Sequence, residues 1–201
     1  MKISGAMFPF IFVVLMIGII GLIVMLLHNG LVSRDEAVDA HWSQVETQLQ
    51  RRLDLVPQLV ATVQGYAKHE QETLLNVTRA RTRLAEALRQ TTEQAPRDDA
   101  LRQQIAAAST ALGHELNALL VMVERYPDLQ ASQSFVGLQD QLEGTENRVA
   151  TERRRYNDAV RSLNTRLRAF PHNVIAGMFG FEARSYFQSN TAAADPVKVK
   201  F

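Results

Sequence analysis

The sequence has no cysteine. Disulfides, thiolate metal sites and cysteine nucleophiles are therefore excluded. The compartment stays open, because reducing and oxidising spaces both hold cysteine-free proteins. Excess charge is lacking too: 22 Lys and Arg face 21 Asp and Glu, for a formal net charge of +1. That balance is not the basic footprint of a nucleic-acid binder, and no nucleic acid is expected as a partner. The five histidines are His28, His41, His69, His114 and His172. None stands in H-E-x-x-H spacing. His114 beside Glu115 reads as a solvated pair, and His69 beside Glu70 as a local contact at a helix junction. Zinc needs three or four convergent ligands, which no segment supplies. Nothing reads G-x-S-x-G, no glycine-rich loop opens a helix, and the paired E-x-x-H of di-iron bundles is missing. No enzyme activity, metal or cofactor is expected.

Charge is also missing between Lys2 and Arg34. Within that gap, Phe8 to Leu27 reads FPFIFVVLMIGIIGLIVMLL, 20 residues without a charge. About 20 apolar residues at ~1.5 Å each cross a hydrocarbon core of ~30 Å. A cleaved signal peptide would have a shorter apolar run, a more basic start and a small-residue cleavage site. HNGLVSRDEA follows instead, so residues 8–27 are expected to sit in membrane lipid as a retained anchor. Gly18 and Gly21 are three apart and do not form G-x-x-x-G.

After the anchor, apolar residues recur at helical spacing. Ser33 with Glu36 fits a capping box. Helix one then carries Val38, Trp42, Val45, Leu49, Leu53, Val56, Val60 and Val63. Helix two runs from about Glu70 to Gln90 with a seam of Leu74, Val77, Arg81, Leu84 and Leu88. Pro96 and Asp98 fit the start of helix three, whose seam is Leu101, Ile105, Ala108, Leu112, Leu119 and Val123. Helix four, about Ser132 to Phe170, carries Phe135, Leu138, Leu142, Val149, Tyr156, Val160, Leu163, Leu167 and Phe170. No segment alternates like a strand. Short connections between long amphipathic helices make antiparallel neighbours. The expected fold is all-α, an N-terminal transmembrane helix followed by an antiparallel four-helix bundle of long helices. The expected domains are an anchor over 1–30, the bundle over 31–171, and an amphipathic C-terminal segment with an extended tail over 172–201.

The stretch QRRLDLVPQLVATVQGYAKHE poses one problem. Pro57 interrupts a helical pattern, where proline costs ~3 kcal/mol and leaves a carbonyl near Leu53 without its donor. A bend rather than a break is expected, since Val56 and Val60 keep one seam across it. Arg51, Arg52 and Asp54 crowd the preceding turn. They either pair with polar residues of a neighbouring helix, such as Glu146, Asn147 or Asn157, or form a recognition surface beside the bend.

The same stretch, with HNGLV, YPDL, ENR, RRRYNDAV, the Phe170-Pro171 pair and the closing PVKVKF, resembles the LemA family along nearly the whole chain. The resemblance implies a bacterial single-pass inner-membrane protein with the N-terminus outside and a helical bundle in the cytoplasm. It brings no reaction. The family's second Tyr-Asn is here Leu163-Asn164, which puts any role of a second tyrosine in doubt.

The expected function is a membrane-anchored, non-catalytic scaffold or adaptor that self-associates. Its contacts would involve Trp42, Arg51, Arg52, Asp54, Pro57, Tyr66, Glu146, Asn147, Tyr156 and Asn157, with an unidentified membrane or cytoplasmic protein as partner. A homo-oligomer is expected because helices one and four outrun the other two. That overhang leaves Val38, Trp42, Val45, Leu163, Leu167 and Phe170 to be covered by a second chain, or by residues after Pro171 folding back. The alternative is a membrane-remodelling or anionic-lipid-sensing module. It would use Arg154, Arg161 and Arg168, which repeat at seven on helix four, with the segment PHNVIAGMFGFEARSYF. That segment either lies at the membrane interface or caps the bundle.

Overall fold

A computed structural model describes residues 7–90 and 98–187. Pro96, Lys2 and the closing PVKVKF lie outside the described residues, as does the tail expected beyond 187. Among the described residues there are six helices: α1 (Met7–Tyr66), α2 (Gln71–Arg89), α3 (Asp99–Val123), α4 (Pro127–Gln130), α5 (Gln133–Arg168) and α6 (His172–Phe179). The chain is all-α.

The chain forms two compact units. Among the described residues, one holds 7–38 with Ala159–Arg184; the other holds 39–90, 98–158 and 185–187. The second unit contains the bundle. Its α1 and α5 run antiparallel: Trp42 meets Tyr156, and ten residues on, Arg52 meets Glu146, ten residues back. The same holds for α3 and α5, where Arg102 lies over Tyr156 and Ser109 meets Arg153. Four residues join α1 to α2, which turns back along it so that Arg81 reaches Leu53. The order is up-down-up-down, as alternating apolar seams and short connections dictate.

Local signals explain the ends. Asp98 caps α3, its carboxylate accepting from the amides of Ala100 at 2.9 Å and Leu101 at 3.2 Å, which satisfies two of the donors a helix start leaves free. Pro127 sits at the first turn of the short α4, where its missing N–H costs nothing. Gly180 closes α6 with φ of 73°, a left-handed conformation that glycine adopts without strain, and the Phe181 amide bonds the Ala176 carbonyl at 3.0 Å. The Phe170–Pro171 peptide is cis.

Four expectations are corrected. Ser33 starts no helix: α1 is unbroken from Met7 to Tyr66, and the apolar turn at Leu31 continues into the seam at Val38. On α2 the buried stripe is Leu74, Val77, Ala80, Leu84 and Ala87 rather than Arg81 and Leu88, because small alanines admit the neighbouring helices. Phe170 is not a seam residue. It follows the end of α5 and is 83% exposed. The overhang, finally, is covered within one chain at every position but Phe170. In the first unit Val38 and Leu163 are fully buried and Leu167 packs against Ile175 and Ala176 of α6. In the second, Trp42 and Val45 are fully buried and the Phe187 ring lies 6.0 Å from Trp42. The chain's own C-terminal segment covers Leu167 and Trp42.

Candidate functional site

Pro57 lies inside α1 without interrupting it. Its ring nitrogen has no hydrogen, so the Leu53 carbonyl one turn earlier has no helical donor. Arg81 of α2 supplies one: its Nε donates to the Leu53 oxygen at 3.0 Å. The orphan acceptor created by proline has become the docking point for the next helix. Pro57 itself is exposed and Leu53 buried, so the donor arrives from the bundle side.

One turn before Pro57, Arg52 enters the bundle and is 6% exposed. Its Nη1 pairs with Glu146 at 3.0 Å and donates to the Ser109 carbonyl at 3.4 Å. Ser109 Oγ accepts from Arg153 at 3.0 Å. Gly113 makes the room: a Cβ there would lie 3.3 Å from Arg52 Nη2. Burial lowers the pKa of Arg52 against the opposing pull of Glu146. Burial lowers that of Arg153 too, with Glu146 opposing and Arg52 reinforcing. Both guanidiniums remain charged at any working pH. The cluster ties α1, α3 and α5 together at one level, and the buried Arg52 finds its partner in the half-exposed Glu146.

The C-terminal segment is held by side-chain amides on α5. Asn157 Nδ2 donates to the Phe187 carbonyl at 3.2 Å, and the Phe187 amide donates to Asn157 Oδ1 at 2.8 Å. Asn164 repeats the arrangement on Arg184, at 2.8 Å to its carbonyl and 2.9 Å from its amide. Each carboxamide thus offers a backbone the donor and acceptor that a neighbouring strand would offer. Seven residues of helix rise ~10.5 Å, and three extended residues advance ~10 Å. Asparagines seven apart therefore match backbone groups three apart. Next to the first clamp, the Tyr156 hydroxyl donates to the Ser185 carbonyl at 3.0 Å. The Arg153 guanidinium also lies 4.4 Å from the centre of the Phe187 ring. Next to the second, Arg184 pairs with Asp35 of α1 at 2.7 Å.

The expected contact residues divide accordingly. In the second unit Trp42 meets Tyr156, next to Asn157, and Arg52 meets Glu146 ten residues along, with Trp42 Nε1 donating to Glu46 at 2.8 Å. Arg51, Asp54, Pro57, Tyr66 and Asn147 face outward. Asp54 accepts from Gln50 on its own helix at 2.9 Å. Asn147 receives Thr151 on its backbone oxygen at 2.9 Å. Asn157 binds the C-terminal backbone rather than the Arg51–Asp54 turn. Arg154, Arg161 and Arg168 are all exposed. Arg154 donates to Thr151 at 3.3 Å, and Arg168 to the Asn164 carbonyl at 3.3 Å. Among the described residues no three His, Cys, Asp or Glu side chains are grouped to hold a metal. The contacts of Asn164, Arg81 and Ser109 have no trace in the apolar pattern. Only the seven-residue spacing of Asn157 and Asn164 signalled the clamps.

The sequence profile of the LemA family matches residues 41–201, the larger part of the chain. This chain belongs to the LemA family. Magnetosome protein MamQ 2 of Paramagnetospirillum magneticum is 27% identical, over 85% of this chain and 68% of the relative. Magnetosome protein MamQ of Magnetospirillum gryphiswaldense is 24% identical over the same shares. Protein LemA of Metamycoplasma hominis is 24% identical, over 91% of this chain and 78% of the relative. In this LemA-family chain the motif pieces touch one another. Tyr126 of YPDL donates to Glu70 of YAKHE at 3.0 Å, and Arg125 pairs with the same carboxylate at 2.9 Å. The hydrogen bond to Glu70 raises the Tyr126 phenol above its ordinary range. Asn157 of the YN motif and Asn164 one heptad on both clamp backbone. Leu163, where a second tyrosine would stand, is fully buried.

Proposed function

We propose that the protein is a non-catalytic membrane-anchored adaptor: a helical bundle held at a bilayer by the apolar start of α1. The observation that carries this is the continuity of α1. One 60-residue helix begins in a stretch long and apolar enough to cross a membrane and ends as the first helix of the bundle. The membrane would be the bacterial inner membrane, crossed once, with the bundle on the cytoplasmic side. A groove of about 570 Å³ between α1 and α2 supports binding of a protein partner. Val60, Leu74 and Leu75 give it an apolar floor and Gln64, Lys68 and Thr78 a polar rim, the usual make-up of a small recognition site. Leu75 is 47% exposed there, and Tyr66 at the end of α1 is 50% exposed. Self-association is not needed to bury the α1 and α5 seams, so the adaptor reading does not depend on it.

The test is photocrosslinking in native membranes, with a photoreactive residue at Leu75 and, as control, at the exposed Gln103 on α3. A discrete protein adduct from position 75 that is missing from position 103 is the expected result. Equal labelling at both sites would refute the groove as the adaptor surface. Membrane attachment itself is read by whether the chain resists carbonate extraction. Extraction into the soluble fraction would refute the anchor.

A further inference from the structure

We infer that α6 lies at the lipid–water interface beside the anchor, its outer face buried among headgroups and upper acyl chains. This rests on the anchor reading above. One face of α6 is occupied: Ile175 and Ala176 pack with Leu31 of α1, joined by Val24, Leu27, Leu167 and Phe181. The His28 ring meets Phe179 edge-on at 4.6 Å and Phe181 at 5.6 Å. The other face is apolar and uncovered. Val174 and Met178, one turn apart, are 50% and 68% exposed, with Phe170 before them at 83%.

Depth decides what covers that face. The unbroken apolar run of α1 ends at Leu27, before His28 and Asn29. At ~1.5 Å per residue, Val24 lies ~4.5 Å on the hydrocarbon side of Leu27 and Leu31 ~6 Å on the headgroup side. α6 packs on Leu31 through Ile175 and Ala176 and on His28 through Phe179, in a cluster that Val24 and Leu27 join, so it is fixed at the boundary by protein contacts. Interfacial helices bury an apolar face ~5–10 Å into the headgroup and acyl boundary.

Charge agrees. Arg34 and Arg166 lie close enough to act on His172 at the start of α6; burial first, then these two cations, lower its pKa. Arg168 is exposed two residues before Phe170. Cations just outside an apolar surface suit the anionic headgroups of a cytoplasmic leaflet. The inner face of α6 thus belongs to the protein and the outer face to lipid.

The cysteine-free chain allows a direct test. The full-length protein is reconstituted in phosphatidylcholine–phosphatidylglycerol vesicles with one environment-sensitive fluorophore, at Met178→Cys, Val174→Cys, Leu22→Cys or Gln103→Cys. Quenchers are a nitroxide near the lipid headgroup, a nitroxide deep in the acyl chain, and aqueous iodide. The expected result is that positions 178 and 174 lose most fluorescence to the shallow nitroxide, position 22 to the deep one, and position 103 only to iodide. Iodide quenching at 178 and 174, with deep quenching kept at 22, overturns the inference and leaves the anchor standing. Protection of 178 and 174 from all three quenchers shows a protein cover, such as a second copy, and also overturns it. Loss of deep quenching at 22 removes the anchor and the inference together.

Discussion

Along α1, the large side chains from Phe10 to Leu26 include residues on every side of the helix that are 46–68% exposed. From Leu31 to Val63 the same helix buries Leu31, Val38, Trp42, Val45, Leu49, Val56, Leu59 and Val63 to 0% and leaves the other side polar. The backbone is identical in the two regions, so the difference lies in what surrounds them. A helix apolar all round is built for lipid, and one with a single apolar stripe is built for protein neighbours. The comparison teaches that hydropathy reports the surroundings of a helix, whereas periodicity reports which side its neighbours occupy.

The largest effect that would sharpen this contrast comes from truncating Trp42. It is fully buried against Tyr156, and Trp→Ala in a core costs ~3–5 kcal/mol. Denaturation of the bundle in detergent is expected to show that loss for Trp42→Ala. Leu15→Ala, 57% exposed in the apolar stretch, should shift the same transition by less than ~0.5 kcal/mol. Similar losses at both positions would break the comparison.

Next in size are the asparagine clamps. Asn164 is 8% exposed and makes two hydrogen bonds to Arg184. Asn164→Ala strands a buried backbone donor and acceptor, for ~1–3 kcal/mol. Asn157, only half-buried, should cost less. Limited proteolysis between Phe181 and Phe187 reads both; cleavage should speed up more for Asn164→Ala. An unchanged rate would mean that the segment is held by its apolar contacts alone.

A smaller effect separates the two roles of Pro57. Arg81→Met removes the donor to Leu53 and should destabilise the bundle by ~1–2 kcal/mol. With Pro57→Ala, the new amide can reach that carbonyl. The cost of Arg81→Met should then shrink by ~1 kcal/mol in a double-mutant cycle. Strict additivity would show that the Arg81 bond is not what compensates the proline.

The smallest effect concerns Arg154, Arg161 and Arg168. Changing all three to Gln should weaken association of the domain with anionic vesicles modestly, and the difference should fade as salt rises. Equal binding of the unmodified domain to neutral and anionic vesicles would leave these arginines as a solvated face.

Much of this was legible. Long apolar seams at three- and four-residue steps located α2, α3 and α5 within a few residues, because burial on one side of a helix imposes that period. Pro57 was readable as tolerated, since the seam survives across it. Ser33–Glu36 misled, because a capping pair is a local preference and the helix entering from the apolar stretch needs no cap. Arg81 was assigned to the seam for its position, and its actual work, donating to a carbonyl on another helix, has no periodic trace. The covering of Trp42 by Phe187 joins residues far apart in sequence. A fold-back of residues after Pro171 was one of two covers the overhang left open, and the partner of Asn157 and Asn164 in it is backbone, which carries no sequence signature.

Spin labels placed one at a time from residue 15 to residue 45 test the central claim most directly, with accessibility to oxygen and to a water-soluble nickel chelate measured in vesicles. The account predicts high oxygen and low nickel accessibility on all sides up to Leu27. Beyond Leu31 a 3.6-residue oscillation should follow, with minima at Val38, Trp42 and Val45. The helical phase should pass without interruption through residues 28–34. A loss of helical phase there, or a 3.6-residue oscillation running back through residues 15–26, would contradict a single helix shared between lipid and bundle.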